Sequence, residues 1–329
     1  MNRKTVLLDI QEIVNPTSGF GQICKNYAEW YGRIADPDLD FVLLTEPRPL
    51  AEVDLWHATN QQQLKHRRGK CRHFVLTIHD LNYLTEKNWL RQMKHNFILQ
   101  RAINKADAVV TISNYVARQV EQKFNMKGKP VRVIYNGVED ISQQAEARPA
   151  FVGDRPFFFT IGQIRKKKNH HLLVDMMRHL PDFDLYISGD DHFKHAETVR
   201  RHIDDLPTAN AHLTGKITAE EKVWLYRHCQ ALLFPSVGEG FGLPAIEAMQ
   251  FGKPVFIANA TCLPEICDNH AFIWPDLNPA SMARFVEERL PLFDDIKAQA
   301  CKDHAATFSY QRHIDAYIQL YKQILQSCD

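Results

Sequence analysis

The segment SVGEGFGLPAIEAMQFGKPV (236–255) carries two glutamates, Glu239 and Glu247, with seven residues between them and Gly240-Phe241-Gly242-Leu243-Pro244 in the gap. The apolar run ALLFPS (231–236) enters this segment, and Pro244 suits the first turn of a helix starting near Leu243. Gly238 to Gly242 are therefore a strand-to-helix loop whose glycines let backbone approach a ligand closely. N–H groups at the start of a helix favour an anion, above all a phosphate, so a pyrophosphate can be held there by backbone. Glu247, one turn into the helix, can accept two hydrogen bonds from a ribose diol. Glu239 lies in the loop, near whatever the phosphate carries. The two acids bracket a sugar at one end and a ribose at the other.

Three more loops carry candidate chemistry. GQIRKKKNHH (162–171) follows the apolar run FFFTIG and holds four consecutive cations, Arg165 to Lys168. They are a solvated charge run or, opposite a phosphate-binding helix, a diphosphate clamp. NPTSGFGQ (15–22) contributes Gly19 and Gly21, which permit a tight turn at a helix start. TIHDLNYL (77–84) sets His79-Asp80 at a strand end. This is a buried, satisfied pair, or a site where the carboxylate orients the imidazole or binds hydroxyls. DPDLD (36–40) precedes a strand and His170-His171 opens a helix beside lysines, so neither reads as a metal site. There is no Gly-x-Ser-x-Gly elbow and no Walker loop.

The elements that must position these loops alternate. Strands are expected at 4–10, 40–45, 54–59, 73–80, 107–113 and 130–138, with helices following 19–22 and over 90–106 and 114–124, the last capped by Ser113. EDISQQAEARPAFVGDRP (139–156) is polar, has no period and reads as a linker. Alternation resumes with strands at 157–162, 183–190, 211–217, 231–236 and 254–259, helices at 170–180, 197–206, 219–229 and 243–252, and a helical tail from about Pro279. The pattern predicts an α/β protein with two Rossmann-like, doubly wound parallel sheets, whose strand ends would line an interdomain cleft. The expected domains are 1–145, 146–310 and a C-terminal helix, 311–329, crossing back to the first.

Composition bounds the function. The chain has 329 residues, suiting two domains, with 45% hydrophobic and 24% charged residues. No run approaches the roughly 20 apolar residues that span a bilayer, and no signal peptide is expected. Seven scattered cysteines suggest reduced thiols and a cytoplasmic protein. The net charge is +1, split as +5 over residues 1–150 and −4 over 151–329. The basic excess gathers at Lys65, Arg67, Arg68, Lys70 and Arg72, a solvated loop or a patch for anionic lipid headgroups or an anionic acceptor. Without interleaved aromatics it is a weak nucleic-acid site.

Glu239-x7-Glu247 within EGFGLPAIEAM strongly resembles the signature of retaining, nucleotide-sugar-dependent glycosyltransferases of family 4, which have the GT-B fold. AVVTISNYV, VRVIYNGV, HLTGKITAEE, ALLFPS and LPEI (263–266) resemble the same family, so the likeness covers nearly the whole chain. It implies donor contacts from Gly19, Gly21, Arg165, Lys168, Asn169, Ile217, Gly240, Phe241, Gly242, Leu243 and Glu247. It also implies catalytic roles for Glu239, Lys168 and His79, with Asp80 on the acceptor side. Lys168-Asn169 match the family's Lys-Asn pair. The arginine often preceding that lysine is Lys167 here, and Gln163 stands where other members have arginine, so Arg165 or Lys167 is left as second clamp. The implied activity is transfer of a hexose-like sugar, with retention, from a nucleotide-diphosphate sugar to a hydroxyl of a saccharide or lipid-linked saccharide, without a metal or other cofactor. Resemblance to lipopolysaccharide and O-antigen mannosyltransferases makes GDP-mannose the first donor, with UDP-hexoses, ADP-heptose and dTDP-rhamnose open. The alternatives are a non-catalytic nucleotide-sugar-binding subunit of a glycan-assembly complex and a retaining phosphorylase or other GT-B enzyme. The expected location is cytoplasmic, with the basic stretch offering a peripheral contact to the anionic inner leaflet.

Overall fold

A computed structural model of the chain describes residues 3–11, 19–46, 52–65, 70–86 and 88–326. In chain order its elements are β1 (Lys4–Asp9), α1 (Gly19–Tyr31), β2 (Leu39–Leu44), β3 (Val53–Ala58), β4 (Cys71–Ile78), α2 (Tyr83–Glu86), α3 (Trp89–Lys105), β5 (Ala108–Thr111), α4 (Asn114–Lys123) and β6 (Val131–Val133). They continue with β7 (Phe157–Ile161), α5 (His170–Met176), β8 (Asp184–Ser188), α6 (His195–Asp204), β9 (Ala211–Gly215), α7 (Ala219–His228), β10 (Ala231–Phe234), α8 (Leu243–Gln250), β11 (Val255–Ala258), α9 (Leu263–Cys267) and β12 (Phe272–Trp274). The last three are α10 (Pro279–Arg289), α11 (Asp295–Ala306) and α12 (Tyr310–Gln326). The chain divides into two units, Met1–Gly137 with Tyr310–Asp329, and Val138–Ser309.

The first unit is built on a six-stranded sheet in the order β2-β1-β3-β4-β5-β6, parallel throughout. Successive side chains of a strand face opposite ways. Val6 and Leu8 of β1 accordingly join a core with Ile23 and Tyr27 of α1 and with Ile314 and Tyr317 of α12. Leu7 joins a second core with Leu99 and Ile103 of α3 and Val116 of α4. Ser113 caps α4 as its sequence suggests, accepting the Val116 N–H at 3.3 Å.

Beneath α12 lies a chain of buried hydrogen bonds. Tyr27 Oη meets His313 Nε2 at 2.7 Å, and His313 Nδ1 meets the Tyr135 carbonyl at 2.6 Å. A carbonyl only accepts, so Nδ1 carries the His313 proton and Nε2 accepts from Tyr27. His57 bridges Tyr321 and Thr77, at 2.7 and 2.8 Å, and Thr77 reaches Tyr317 at 2.8 Å. Lys322 pairs with Asp36 at 2.9 Å and Asp38 at 3.0 Å, so the Asp-x-Asp of 36–40 fastens this helix.

The second unit has the order β12-β11-β10-β7-β8-β9, again all parallel. Its strands read as near-continuous apolar runs because both faces are covered. The chain builds outward from β7 through β8 and β9, then returns to the other side of β7 with β10. The switch point is between β7 and β10, and ligands bind outside the carboxyl ends of such strands.

Three expectations change. The stretch 139–156 has no helix or strand, but it is packed: Ile141 and Val152 are buried, and Arg148 lies 5.8 Å from the Trp224 ring centroid. The tail is three helices, because Pro291 lies in the turn after α10 and Asn278 and Asp294 each cap a new start. A short edge strand, β12, precedes them.

Candidate active site

The loops that follow β7 and β10 leave adjacent strands and are fastened to each other. The Val237 N–H donates to the Lys167 carbonyl at 2.8 Å, and Asn169 Nδ2 donates to the Pro235 carbonyl at 3.0 Å. Asn169 has φ 55°, a left-handed conformation that asparagine tolerates better than most residues, and this turns the chain from Lys168 into α5. Across this junction Lys168 Nζ donates to Glu239 Oε1 in an ion pair whose side chains are 14% and 13% exposed. Lys168 Nζ also lies 5.1 Å from the Phe234 ring centroid, over the end of β10. Behind it His170 is fully buried. Burial first, then the Lys168 ammonium, holds its pKa down at about 3, so it is neutral.

Glycines bring the floor of this site together. A Cβ on Gly189, after β8, would fall 1.9 Å from the Gly162 carbonyl oxygen, so backbone approaches backbone where a side chain has no room. Gly242 is the N-cap of α8 with φ 99°, and Pro244 occupies the first turn. No side chain caps this helix start. Gly240, Phe241 and Leu243 thus sit at or just before the start of α8, with Phe241 buried against Phe308 at a ring-centroid distance of 5.5 Å.

Glu247 is one turn into α8 and only 15% exposed. Its Oε1 accepts from Lys222 Nζ at 2.9 Å and its Oε2 from Tyr226 Oη at 2.8 Å. Burial, and then the Glu247 carboxylate, pushes the Tyr226 hydroxyl well above its usual pKa, so it remains a donor. Each carboxylate oxygen has lone pairs beyond these bonds.

Of the two clamp candidates, Arg165 lays its guanidinium 4.2 Å from the Phe193 ring centroid. Lys167 packs its stem on Gly238, where a Cβ would meet Lys167 Cδ at 2.6 Å. Ile217 is half-buried in the loop after β9. Among the described residues, one group has metal-ligand spacing, Asp190, Asp191 and His192. Its members are already engaged, Asp190 with His192 at 2.6 Å and Asp191 with Arg200.

The remaining candidates are in the first unit. His79 follows β4 and is buried, with Nε2 2.8 Å from the Thr59 carbonyl and its backbone N–H donating to Gln61 Oε1 at 3.0 Å. The carbonyl fixes the proton on Nε2, so Nδ1 carries the lone pair. Burial lowers its pKa, keeping the ring neutral. The Thr59 carbonyl thus fixes the tautomer of the imidazole, while the Asp80 charge acts on the ring in the direction opposite to burial and Asp80 Oδ1 accepts the Asn82 N–H at 2.9 Å. Gly19 and Gly21 lie within the first turn of α1 instead of in a loop before it. Arg67 and Arg68 lie outside the described residues, as does the side chain of Lys65, while Lys70 and Arg72 are exposed.

The family model for group 1 glycosyl transferases matches residues 142–303, and that for glycosyltransferase family 4 matches residues 31–140. The chain is a family 4, group 1 glycosyltransferase by descent. It is 25% identical over 210 residues to the O-antigen chain mannosyltransferase RfbU of Salmonella typhimurium, covering 62% of this chain and 58% of that protein. It is 28% identical over 245 residues to the serotype-specific mannosyltransferase WbdA of Escherichia coli, covering 66% of this chain and 30% of that protein. The chain thus spans little more than half of the one relative and under a third of the other. Anabaena HepE, solved in complex with UDP-glucose, superposes with a TM-score of 0.72 at 18% identity, over 99% of this chain and 100% of that one. That likeness gives the chain the GT-B fold.

Some residues that shape the candidate site escape a reading of its loops. Lys222 and Tyr226 are one turn apart on α7 and present one face to Glu247. Their i, i+4 spacing was the available signal, but their partner lies about twenty residues later in sequence. Phe193 and Thr59 are equally local in space and remote in sequence from Arg165 and His79.

Proposed function

We propose that the chain transfers a hexose-like sugar, with mannose from GDP-mannose as first choice, to a hydroxyl of a saccharide or lipid-linked saccharide. The anomeric configuration is retained, and the role is in cell-surface polysaccharide or lipopolysaccharide synthesis at the cytoplasmic side. The observation carrying this reading is the Lys168–Glu239 pair at the β7/β10 switch point, beside the uncapped start of α8. The names of RfbU and WbdA as mannosyltransferases support the choice of sugar.

In this mechanism Lys168 and the α8 N-terminus stabilise negative charge on the departing diphosphate, with Arg165 as second cation. Their positive charge takes the place a metal would otherwise fill. The bond from the anomeric carbon to the diphosphate oxygen breaks, and the carbon becomes oxocarbenium-like. The departing phosphate takes the acceptor proton on the same face, and the acceptor oxygen closes the new bond. Glu239 positions the sugar hydroxyls and Glu247, held by Lys222 and Tyr226, the ribose. Ile217 serves the base, while His79 and Asp80 are assigned to the saccharide partners.

Thermal unfolding against a panel of nucleotides and nucleotide sugars tests the reading. A ligand at a hundred times its Kd stabilises by about 2.7 kcal/mol. Glu247→Ala should erase the nucleotide-dependent shift, and Glu239→Ala should keep it while abolishing transfer. Absence of any shift in the wild-type protein refutes the assignment.

A further inference from the structure

We propose that the outer face of α3 docks the protein on an anionic membrane surface, an inference independent of the transfer chemistry. Large apolar side chains usually reach solvent singly, and a contiguous group of them marks a contact. On α3 Trp89, Leu90, Met93 and Phe97 are 66%, 60%, 60% and 68% exposed. At about 100° per residue, these four fall within one arc of the helix. Leu99, Ala102 and Ile103, the buried residues of α3, all fall outside that arc and fill the core under β4 and β5. The exposed stripe is therefore additional to the face that the fold needs.

Charge says what covers it. The helix WLRQMKHNFILQRAINK contains Arg91, Lys94, Arg101 and Lys105, all exposed, and no acidic residue. Lys94, Arg101 and Lys105 border the apolar stripe along one side of the helix. An apolar stripe with tryptophan and phenylalanine, edged by cations without anions, matches the interfacial region of a bilayer bearing negative headgroups. A protein partner of ordinary composition gives no reason for the missing carboxylates. No helix among the described residues is long and apolar enough to cross a membrane, so the contact is peripheral. Tyr83 is wedged between Asn96, at 2.6 Å, and the His95 ring, fixing the helix against α2 so that the stripe is presented on a rigid support.

The test is flotation of the purified full chain with vesicles of phosphatidylcholine containing about one third phosphatidylglycerol, beside vesicles of phosphatidylcholine alone. The wild type should float with the anionic vesicles only, and less at an ionic strength that shortens the Debye length. Trp89→Ser with Phe97→Ser, and separately Lys94→Glu with Arg101→Glu, should each weaken partitioning by about tenfold or more. Thermal unfolding should be unchanged in both, because these side chains touch no core. Equal flotation on neutral vesicles, flotation unaffected by either variant, or no flotation overturns the proposal. So does self-association in gel filtration that Phe97→Ser abolishes without any vesicle binding. None of these readouts uses sugar transfer, so the two readings can fail separately.

Discussion

In the free protein the ammonium assigned to the donor diphosphate is already neutralised by Glu239, so the pair competes with the nucleotide. Both side chains are about seven-eighths buried. Exposed pairs are worth up to about 1 kcal/mol, and removing one partner of a fully buried pair costs about 3–5 kcal/mol. A value near 2 kcal/mol suits this intermediate case. Glu239→Gln removes the charge but keeps a neutral hydrogen bond worth about 1 kcal/mol. The substitution therefore relieves Lys168 by about 1 kcal/mol, and GDP or UDP should bind roughly fivefold more tightly. Transfer should nonetheless fall steeply, since the sugar hydroxyls lose their anionic acceptor. Lys168→Met should instead weaken the nucleoside diphosphate by about 1.5–3 kcal/mol, the range for a bond to a charged group. Titration calorimetry reads both affinities, and release of nucleotide from the sugar nucleotide reads turnover. Weaker nucleotide binding by Glu239→Gln, or no change on Lys168→Met, would show that the lysine does not hold the diphosphate.

Two further outcomes follow from the packing. Burial pushes His313 down to about 4, although the Tyr135 carbonyl opposes this, so the unfolded chain, with a histidine pKa near 6.5, takes up the proton first as pH falls. Stability from this residue is intact above about pH 6.5 and lost progressively down to about pH 4; between pH 7 and 5 the loss is about 2 kcal/mol. His57, lowered in the same direction by burial, adds to it. Urea unfolding at the two pH values should show the drop, with a smaller one in His313→Gln; a pH-independent midpoint would contradict the buried neutral ring. Gly189→Ala forces a methyl group against the Gly162 carbonyl and should cost about 3–5 kcal/mol, whereas Gly215→Ala, with φ 72° and open space around it, should cost only about 1 kcal/mol. Thermal melts of the two side by side decide this.

Parallel strands buried on both faces print themselves as apolar runs, and for that reason FFFTI, DLYIS and ALLF can be read directly. The acids and cations at their ends are legible as candidates for the complementary reason: charge gathers where the sheet stops, held there by water, an ion pair or a ligand. What stayed hidden depends on distance in three dimensions. Tyr226 looks like one more core residue of α7 until Glu247 is placed beside it. His313, Tyr317 and Tyr321 repeat with ordinary helical spacing, and only the fold reveals that their polar ends meet His57, Thr77 and Tyr27. The three-residue β12 is too short to leave a period, and α10 to α12 blur into one tail because their caps differ little from surface residues.

The return of α12 to the first unit gives the two halves unequal histories on the ribosome. The second is one uninterrupted stretch, with Val138 and Ser309 paired side by side at its ends, and it can close as soon as that stretch has emerged. The first begins to appear earliest yet waits longest. Until the final helix is translated, Val6, Leu8, Ile23 and Tyr27 lack the apolar cover of Ile314 and Tyr317, and His57 lacks its tyrosine. A nascent chain stalled before Tyr310 should therefore expose an aggregation-prone sheet face and be the form that a chaperone binds.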